Sequence, residues 1–141
     1  MSDRFFLDTN IFVYSATDDD PAKARMATEL IRKAIATHKG AVSYQVVQEF
    51  FNLALKRFEH RMNFEDRQEY LARVFRPLLK IHSSLALYEE ALRLHTSNNL
   101  QWYDALIVGA ARESGCAILY SEDLQHGQKF GNLLKIVNPF L

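Results

Sequence analysis

A single cysteine, Cys116, stands among 141 residues, so no disulfide can form within the chain, and a reducing compartment is the natural expectation. Its neighbours Gly115, Ala117 and Ile118 suit a buried small side chain rather than a reactive thiol. Proline (three) and glycine (five) are also scarce, which excludes low-complexity linkers. No apolar run approaches the roughly 20 residues that a membrane-spanning helix needs. The opening Met1-Ser2-Asp3-Arg4 leads straight into an apolar segment without the features of a secretory leader. The expectation is a soluble, cytoplasmic protein. Net charge is lacking too, because seventeen basic side chains cancel seventeen acidic ones. That excludes holding a nucleic acid by bulk electrostatics. A polyanionic substrate would have to be met by local basic patches and metal ions.

What the chain does have is an ordinary globular composition, with 48% hydrophobic and 24% charged residues. A chain of this size buries roughly two thirds of its unfolded surface, enough for a core without staples. Neither an internal repeat nor a boundary interrupts it, so residues 1–141 are expected to form one domain.

Arg4-Phe5-Phe6-Leu7 reads as a first strand, followed by an ambiguous, short helical stretch from Asn10 to Ala16. Asp18-Asp19-Asp20-Pro21 is a helix start, with an acidic cap and proline in the first turn. Ala24, Ala27, Leu30, Ile31, Ala34 and Ile35 then recur at helical spacing until Gly40 ends the helix. Strands are expected at Ala41-Val42-Ser43-Tyr44, Lys80-Ile81-His82, Ala117-Ile118-Leu119-Tyr120 and 133–137, with helices at 45–58, 63–79, 85–96 and 102–114, Pro77 marking a kink or stop near the end of the second. The last helix is apolar nearly all round and therefore buried. Strands alternating with helices predict an α/β fold, a three-layer α/β/α arrangement with a central parallel sheet of four to five strands. In such sheets ligands sit beyond the carboxyl ends of the strands.

Two acids fall there. Asp8 directly follows Phe5-Phe6-Leu7, and Asp123 comes three residues after Tyr120. Asp104 lies in the first turn of the buried helix, where capping is the alternative explanation. Glu49 borders the apolar arc of its helix, where a solvated surface glutamate is the alternative. Together the four acids are more informative than singly. Like charges brought close raise one another's pKa, and hard divalent cations relieve the repulsion through oxygen ligands.

Leu7-Asp8-Thr9-Asn10 after the first strand resembles the opening motif of the PIN-domain nucleases. Gln48-Glu49-Phe50, Tyr103-Asp104-Ala105 and Leu119-Tyr120-Ser121-Glu122-Asp123-Leu124 follow in that family's order. The resemblance runs from Arg4 to about Val137, and at this length it is to the VapC-type toxins of toxin–antitoxin systems. It implies a PIN-like fold and an endoribonuclease dependent on Mg2+, with Mn2+ as an alternative. It further implies inhibition by a cognate VapB-like antitoxin, and a homodimer. It implies Asp8, Asp104, Asp123 and Glu49 as catalytic metal ligands, with Asn10 and Ser121 as polar support. Which of Glu122 and Asp123 points inward is not settled by the sequence itself; the family's pattern, a small hydroxyl residue two before the acid, favours Asp123. The implied reaction is hydrolysis of an RNA phosphodiester by water acidified by a divalent ion, leaving a 5′-phosphate and a 3′-hydroxyl.

Lys56, Arg57, His60 and Arg61, which continue the Glu49 helix, are candidate RNA contacts, with dipole compensation as the alternative. The five histidines form no close pair of the zinc-binding kind. Two other functions are compatible with the pattern. A phosphatase or phosphotransferase using Asp8 as nucleophile would want a second aspartate where Asn10 stands. A non-catalytic RNA- or protein-binding module would gain nothing from four clustered acids.

Overall fold

The chain's first apolar run becomes the middle of its sheet. In the computed structural model, which describes residues 2–141, all three side chains of β1 (Phe5–Leu7) are buried, as in strands covered on both faces. β1 lies between β2 (Gly40–Ser43) and β4 (Ile118–Tyr120), parallel to both. β3 (Leu79–Ile81) extends the sheet beyond β2, and β6 (Leu134–Val137) extends it beyond β4, again parallel. These are the five parallel strands expected. A sixth, β5 (Lys129–Phe130), pairs antiparallel with β6 at the edge. Two residues are too few for any alternation pattern to reveal. The order is β3-β2-β1-β4-β6-β5.

Between β1 and β2 run α1 (Thr9–Thr17) and α2 (Pro21–Thr37). Between β2 and β3 run α3 (Tyr44–Arg57), α4 (Phe64–Tyr70), a π-helical stretch (Leu71–Phe75) and α5 (Arg76–Leu78). α6 (Leu85–Asn98) and α7 (Trp102–Glu113) pack on each other and carry the chain back across the sheet to β4. Right-handed crossovers in opposite directions put the two helix groups on opposite faces. The chain reverses direction between β1 and β4, the neighbours whose ends carry Asp8 and Asp123. The reversal point of an open sheet leaves a crevice for a ligand.

One local expectation is refined and one corrected. The helix expected over 63–79, with a kink or stop at Pro77, runs from Phe64 to Leu78 and holds a π-helical turn: Arg76 N–H bonds back to Leu71 O, and the chain leaves for β3 at Leu79. Pro77 explains the widening, since its ring has no N–H for the carbonyl four residues back and collides with it. Gly40 does not end α2. His38, in the left-handed conformation, caps that helix, and Gly40 already belongs to β2. A Cβ at Gly40 would overlap the side chain of Ala34 and stand 2.9 Å from its Cα, so close packing, not turn geometry, requires glycine. The aspartate run behaves as a start signal: Asp20 accepts from Lys23 N–H with Pro21 in the first turn.

One apolar cluster runs from Phe5 to Ile136 and includes the fully buried Phe12, Phe50 and Phe75. Cys116 is buried, with Ser114 Oγ 3.2 Å from its Sγ. Residues 105–111 of α7 are all buried, as its all-round apolar pattern predicts. Among the described residues no helix is long and apolar enough to cross a membrane.

Candidate active site

A cavity of about 340 Å³ opens at the carboxyl ends of β1 and β4, and Asp8, Glu49, Asp104 and Asp123 all line it. Each reaches it from a different element, because β1 ends at Leu7, β4 ends at Tyr120, α3 starts beyond β2 and α7 starts beside it. Four positions spread over 116 residues of sequence thus share one cavity.

Asp8 is the most deeply set. It caps α1, accepting from Thr9 N–H at Oδ1 (2.7 Å) and from Ser121 Oγ at Oδ2 (2.8 Å). Burial pushes its carboxyl up to about 7, the two hydrogen bonds oppose that rise, and the charges of Glu49 and Asp123 reinforce it. Glu49 is raised as well, chiefly by burial. Thr9 Oγ1 (2.8 Å) and Gln45 Nε2 (3.4 Å), both donating to its Oε1, hold it down in part, and Asp104 and Asp123 add to the rise. Asp104 is raised by burial and then by Asp123. Asp123 is therefore electrostatically in touch with all three other acids.

Glu122 also borders the cavity, but it is neutralised from the side. Lys23 and Tyr14 both hydrogen-bond to it, and these partners lower its carboxyl against the opposing effect of burial. Geometry thus separates two adjacent acids, in the sense that the family's pattern favours. The acid facing the cluster is Asp123, and Glu122 answers Lys23.

Ser121 is fully buried and does three things at once. Its hydroxyl donates to Asp8 and accepts from the backbone N–H of Asp123 (3.2 Å) and Leu124 (3.3 Å), tying the β4 exit to β1. Asn10 lines the cavity with both its amide oxygen and nitrogen buried and without a partner. A buried amide so placed is costly unless something else completes its hydrogen bonds.

None of the four acids takes part in a salt bridge among the described residues. Four oxygen-donor side chains, raised carboxyls and an unsatisfied amide fit a hard divalent cation. The same residues do not form a ready-made cage: among the described residues no three converge closely enough to hold one ion. Mutual repulsion keeps carboxylates apart when nothing neutralises them, so the cavity, rather than a fixed set of distances, defines the site.

The four basic candidates divide. Arg57 borders the cavity. Arg61 is bound to the end of α1, donating to Asp19 Oδ1 (2.8 Å) and Thr17 O (2.6 Å). Lys56 and His60 are exposed and are not part of the cavity wall. Thr9 and Gln45 were not anticipated as site residues. Both were reachable from sequence, Thr9 as the neighbour of Asp8 and Gln45 as the residue one helical turn before Glu49.

The family described as PIN domain matches residues 5–129. No curated protein matches the chain. Among solved structures, a toxin–antitoxin complex from Klebsiella pneumoniae is similar at 18% identity and a TM-score of 0.66, over 95% of this chain and 96% of that one. VapC20 of Mycobacterium tuberculosis, a sarcin–ricin loop cleaving toxin, is similar at 20% identity and a TM-score of 0.63, over 84% of this chain and 89% of that one. VapBC2 of Rickettsia felis, bound to a DNA fragment from its promoter, is similar at 21% identity and a TM-score of 0.60, over 95% and 98% of the two chains. At such identities the likeness is one of fold.

Proposed function

The chain belongs to the PIN domain family of nucleases, and from that premise we propose that it is a divalent-metal-dependent endoribonuclease acting as a VapC-like toxin. The observation that carries the reading is the convergence of four carboxylates, none of them in a salt bridge among the described residues, on one cavity at the sheet's reversal point. Asp8, Asp104 and Asp123, with Glu49, would hold Mg2+ or Mn2+. Such an ion neutralises the phosphate and acidifies the attacking water.

The chain's own residues supply position. Ser121 and Thr9 N–H fix both oxygens of Asp8, which leaves it ill suited to covalent attack and disfavours an aspartyl-phosphate mechanism. Thr9 and Gln45 both hold Oε1 of Glu49, so Oε2 remains for a water, and a carboxyl raised from its ordinary value is a better proton acceptor. Arg57 is the positive side chain at the rim that can meet the RNA backbone.

The single apolar cluster supports reading residues 1–141 as one nuclease domain. A cognate VapB-like antitoxin, a homodimer and a cytoplasmic location complete the proposal. Their support is the fold shared with toxin–antitoxin complexes.

The test is cleavage of total cellular RNA by purified chain in magnesium, manganese or EDTA, beside folded Asp8→Asn and Asp104→Asn proteins. Metal-dependent cutting that both substitutions abolish is the expected result. Cutting that survives EDTA or both substitutions overturns the mechanism. Folded, antitoxin-free protein that binds RNA without cutting it would instead be a binding module.

A further inference from the structure

Beside the acidic cavity lies a second one, of about 280 Å³, lined by Ser43, Tyr44, Gln48, His82, Tyr88 and Trp102 among others. The two share Gln45 and Tyr103 as a common rim. Gln45 Nε2 spans that rim, donating to Tyr103 O (3.1 Å) on one side and to Glu49 on the other. A molecule reaching through it would touch both compartments.

The second cavity has a distinctive chemistry. Its wall contains no Asp, Glu, Lys or Arg. Two aromatic pairs stand in it. Tyr44 meets His82 edge-on, with centroids 4.2 Å apart, and Trp102 tilts against Tyr88 at 6.2 Å. Tyr44 and Trp102 nevertheless stay 40% and 37% exposed, so each keeps accessible ring surface.

Ser43 is the decisive residue. It is only 3% exposed and lines the cavity, yet its hydroxyl has no hydrogen-bond partner among the described residues. It stands at the N-cap of α3, where a serine normally bonds to the helix backbone, but it makes no such bond. A buried hydroxyl without a partner is expensive, and a ligand polar group would satisfy it. The first turns of α3 and α7 line the same space, and neither is capped by a side chain.

We propose that this cavity is a nucleobase subsite, which holds one unpaired base of the RNA substrate next to the scissile phosphate, stacked on Tyr44 or Trp102 and hydrogen-bonded at its edge to Ser43. The proposal rests on the nuclease reading above. A wall that joins aromatic and polar side chains to the aliphatic Ile81, Leu87 and Leu106, and holds no Asp, Glu, Lys or Arg, suits a flat heterocycle with donors and acceptors on its rim. A docked apolar peptide helix would instead want an aliphatic groove without unsatisfied hydroxyls. The acidic cavity, with its four carboxylates, would position the phosphate. Base selectivity would then reside in the neighbouring compartment.

Trp102 is the only tryptophan in the chain, so its fluorescence reports on this cavity alone. The experiment titrates short single-stranded RNA, and the same strand with abasic positions, into the full chain in EDTA, where no cleavage occurs. Trp102 emission should be quenched by the first and not by the second. Tyr44→Ala should weaken the RNA affinity by about five- to a hundredfold, the usual cost of losing one base stack, and Tyr44→Phe should restore it. Ser43→Ala should change which base is preferred next to the cut, read from the distribution of cut sites. Circular dichroism on each variant separates these effects from unfolding. Equal quenching by base-bearing and abasic strands, or a Tyr44→Ala enzyme with unchanged affinity and cut sites, overturns the subsite while metal-dependent cleavage still stands. Quenching by an antitoxin-derived peptide and not by RNA assigns the cavity to a protein partner and overturns it equally. Absence of any cleavage by wild type in magnesium or manganese is the separate failure of the nuclease reading.

Discussion

Replacing Asp8 by asparagine should make the metal-free protein more stable while abolishing its activity, and the gain should depend on pH in a defined direction. Asp8 is buried, and its carboxyl is raised from 3.8 to about 7 in the folded chain. The folded state therefore holds that proton more tightly than the unfolded state does. The associated stability is complete below about pH 4 and is lost as pH rises, levelling off above about pH 7. About three pKa units at roughly 1.36 kcal/mol each give a loss of about 4 kcal/mol by pH 8. Asparagine carries no charge and escapes it. Its amide would still accept from Thr9 N–H, but the nitrogen facing Ser121 Oγ replaces an acceptor with a donor, at a cost of about 1–1.5 kcal/mol. The net expectation at pH 8 is about 2–3 kcal/mol, or about 5–10 °C in Tm for a domain near this size. At pH 4.5 the advantage should vanish or reverse. The assay is thermal unfolding of both proteins in EDTA at pH 4.5 and pH 8, repeated in manganese. Manganese should stabilise wild type at pH 8 by about 2.7 kcal/mol at a hundredfold excess over Kd, seen as a higher Tm, and leave Asp8→Asn nearly unmoved. A variant no more stable than wild type at pH 8, or one with the same gain at both pH values, refutes the claim that Asp8 is a buried charge awaiting a cation.

Asp104→Asn and Asp123→Asn should lose cleavage while keeping wild-type circular dichroism, whereas Glu122→Gln should retain cleavage, because Glu122 is neutralised by Lys23 and Tyr14. Thr9→Val, which removes a hydroxyl that orients Glu49, should lower kcat by about 10–100-fold, the usual range for groups that position a ligand, with RNA affinity unchanged. Arg57→Ala should weaken RNA binding at all sequences and reduce the dependence of log affinity on log salt by about one phosphate contact, measured by anisotropy in EDTA. Gly40→Ala should destabilise by about 1–3 kcal/mol in urea unfolding, since the added methyl meets the α2 backbone at Ala34.

The parts of this protein legible in its sequence are those governed by short-range periodicity and by residues that punctuate it. Phe5-Phe6-Leu7 and Ile118-Leu119-Tyr120 are apolar runs of strand length, and α7 is apolar all round; both patterns record burial directly. Asp20-Pro21 and Gly115 mark helix ends because capping and left-handed backbone are local chemistry. Asp8, Glu49, Asp104 and Asp123 could be singled out because each falls near a strand end or in an early helical turn, and because their motifs come in a recognisable order. Where local pattern competes with packing, the sequence misleads. Gly40 looks like a helix stop and is a strand residue without room for a side chain. Residues 63–79, by contrast, read as one helix with a kink or stop at Pro77, and the structure adds only the π-helical widening before it. The tertiary structure alone decides that Asp123 rather than Glu122 faces the other acids, because the choice depends on Lys23 and Tyr14, some hundred residues earlier in the chain. It alone brings Ser43, His82 and Trp102 around one cavity and leaves a serine hydroxyl without a partner. Both follow from the sheet order, which sets residues distant in sequence side by side, and no periodicity within the chain encodes that neighbourhood.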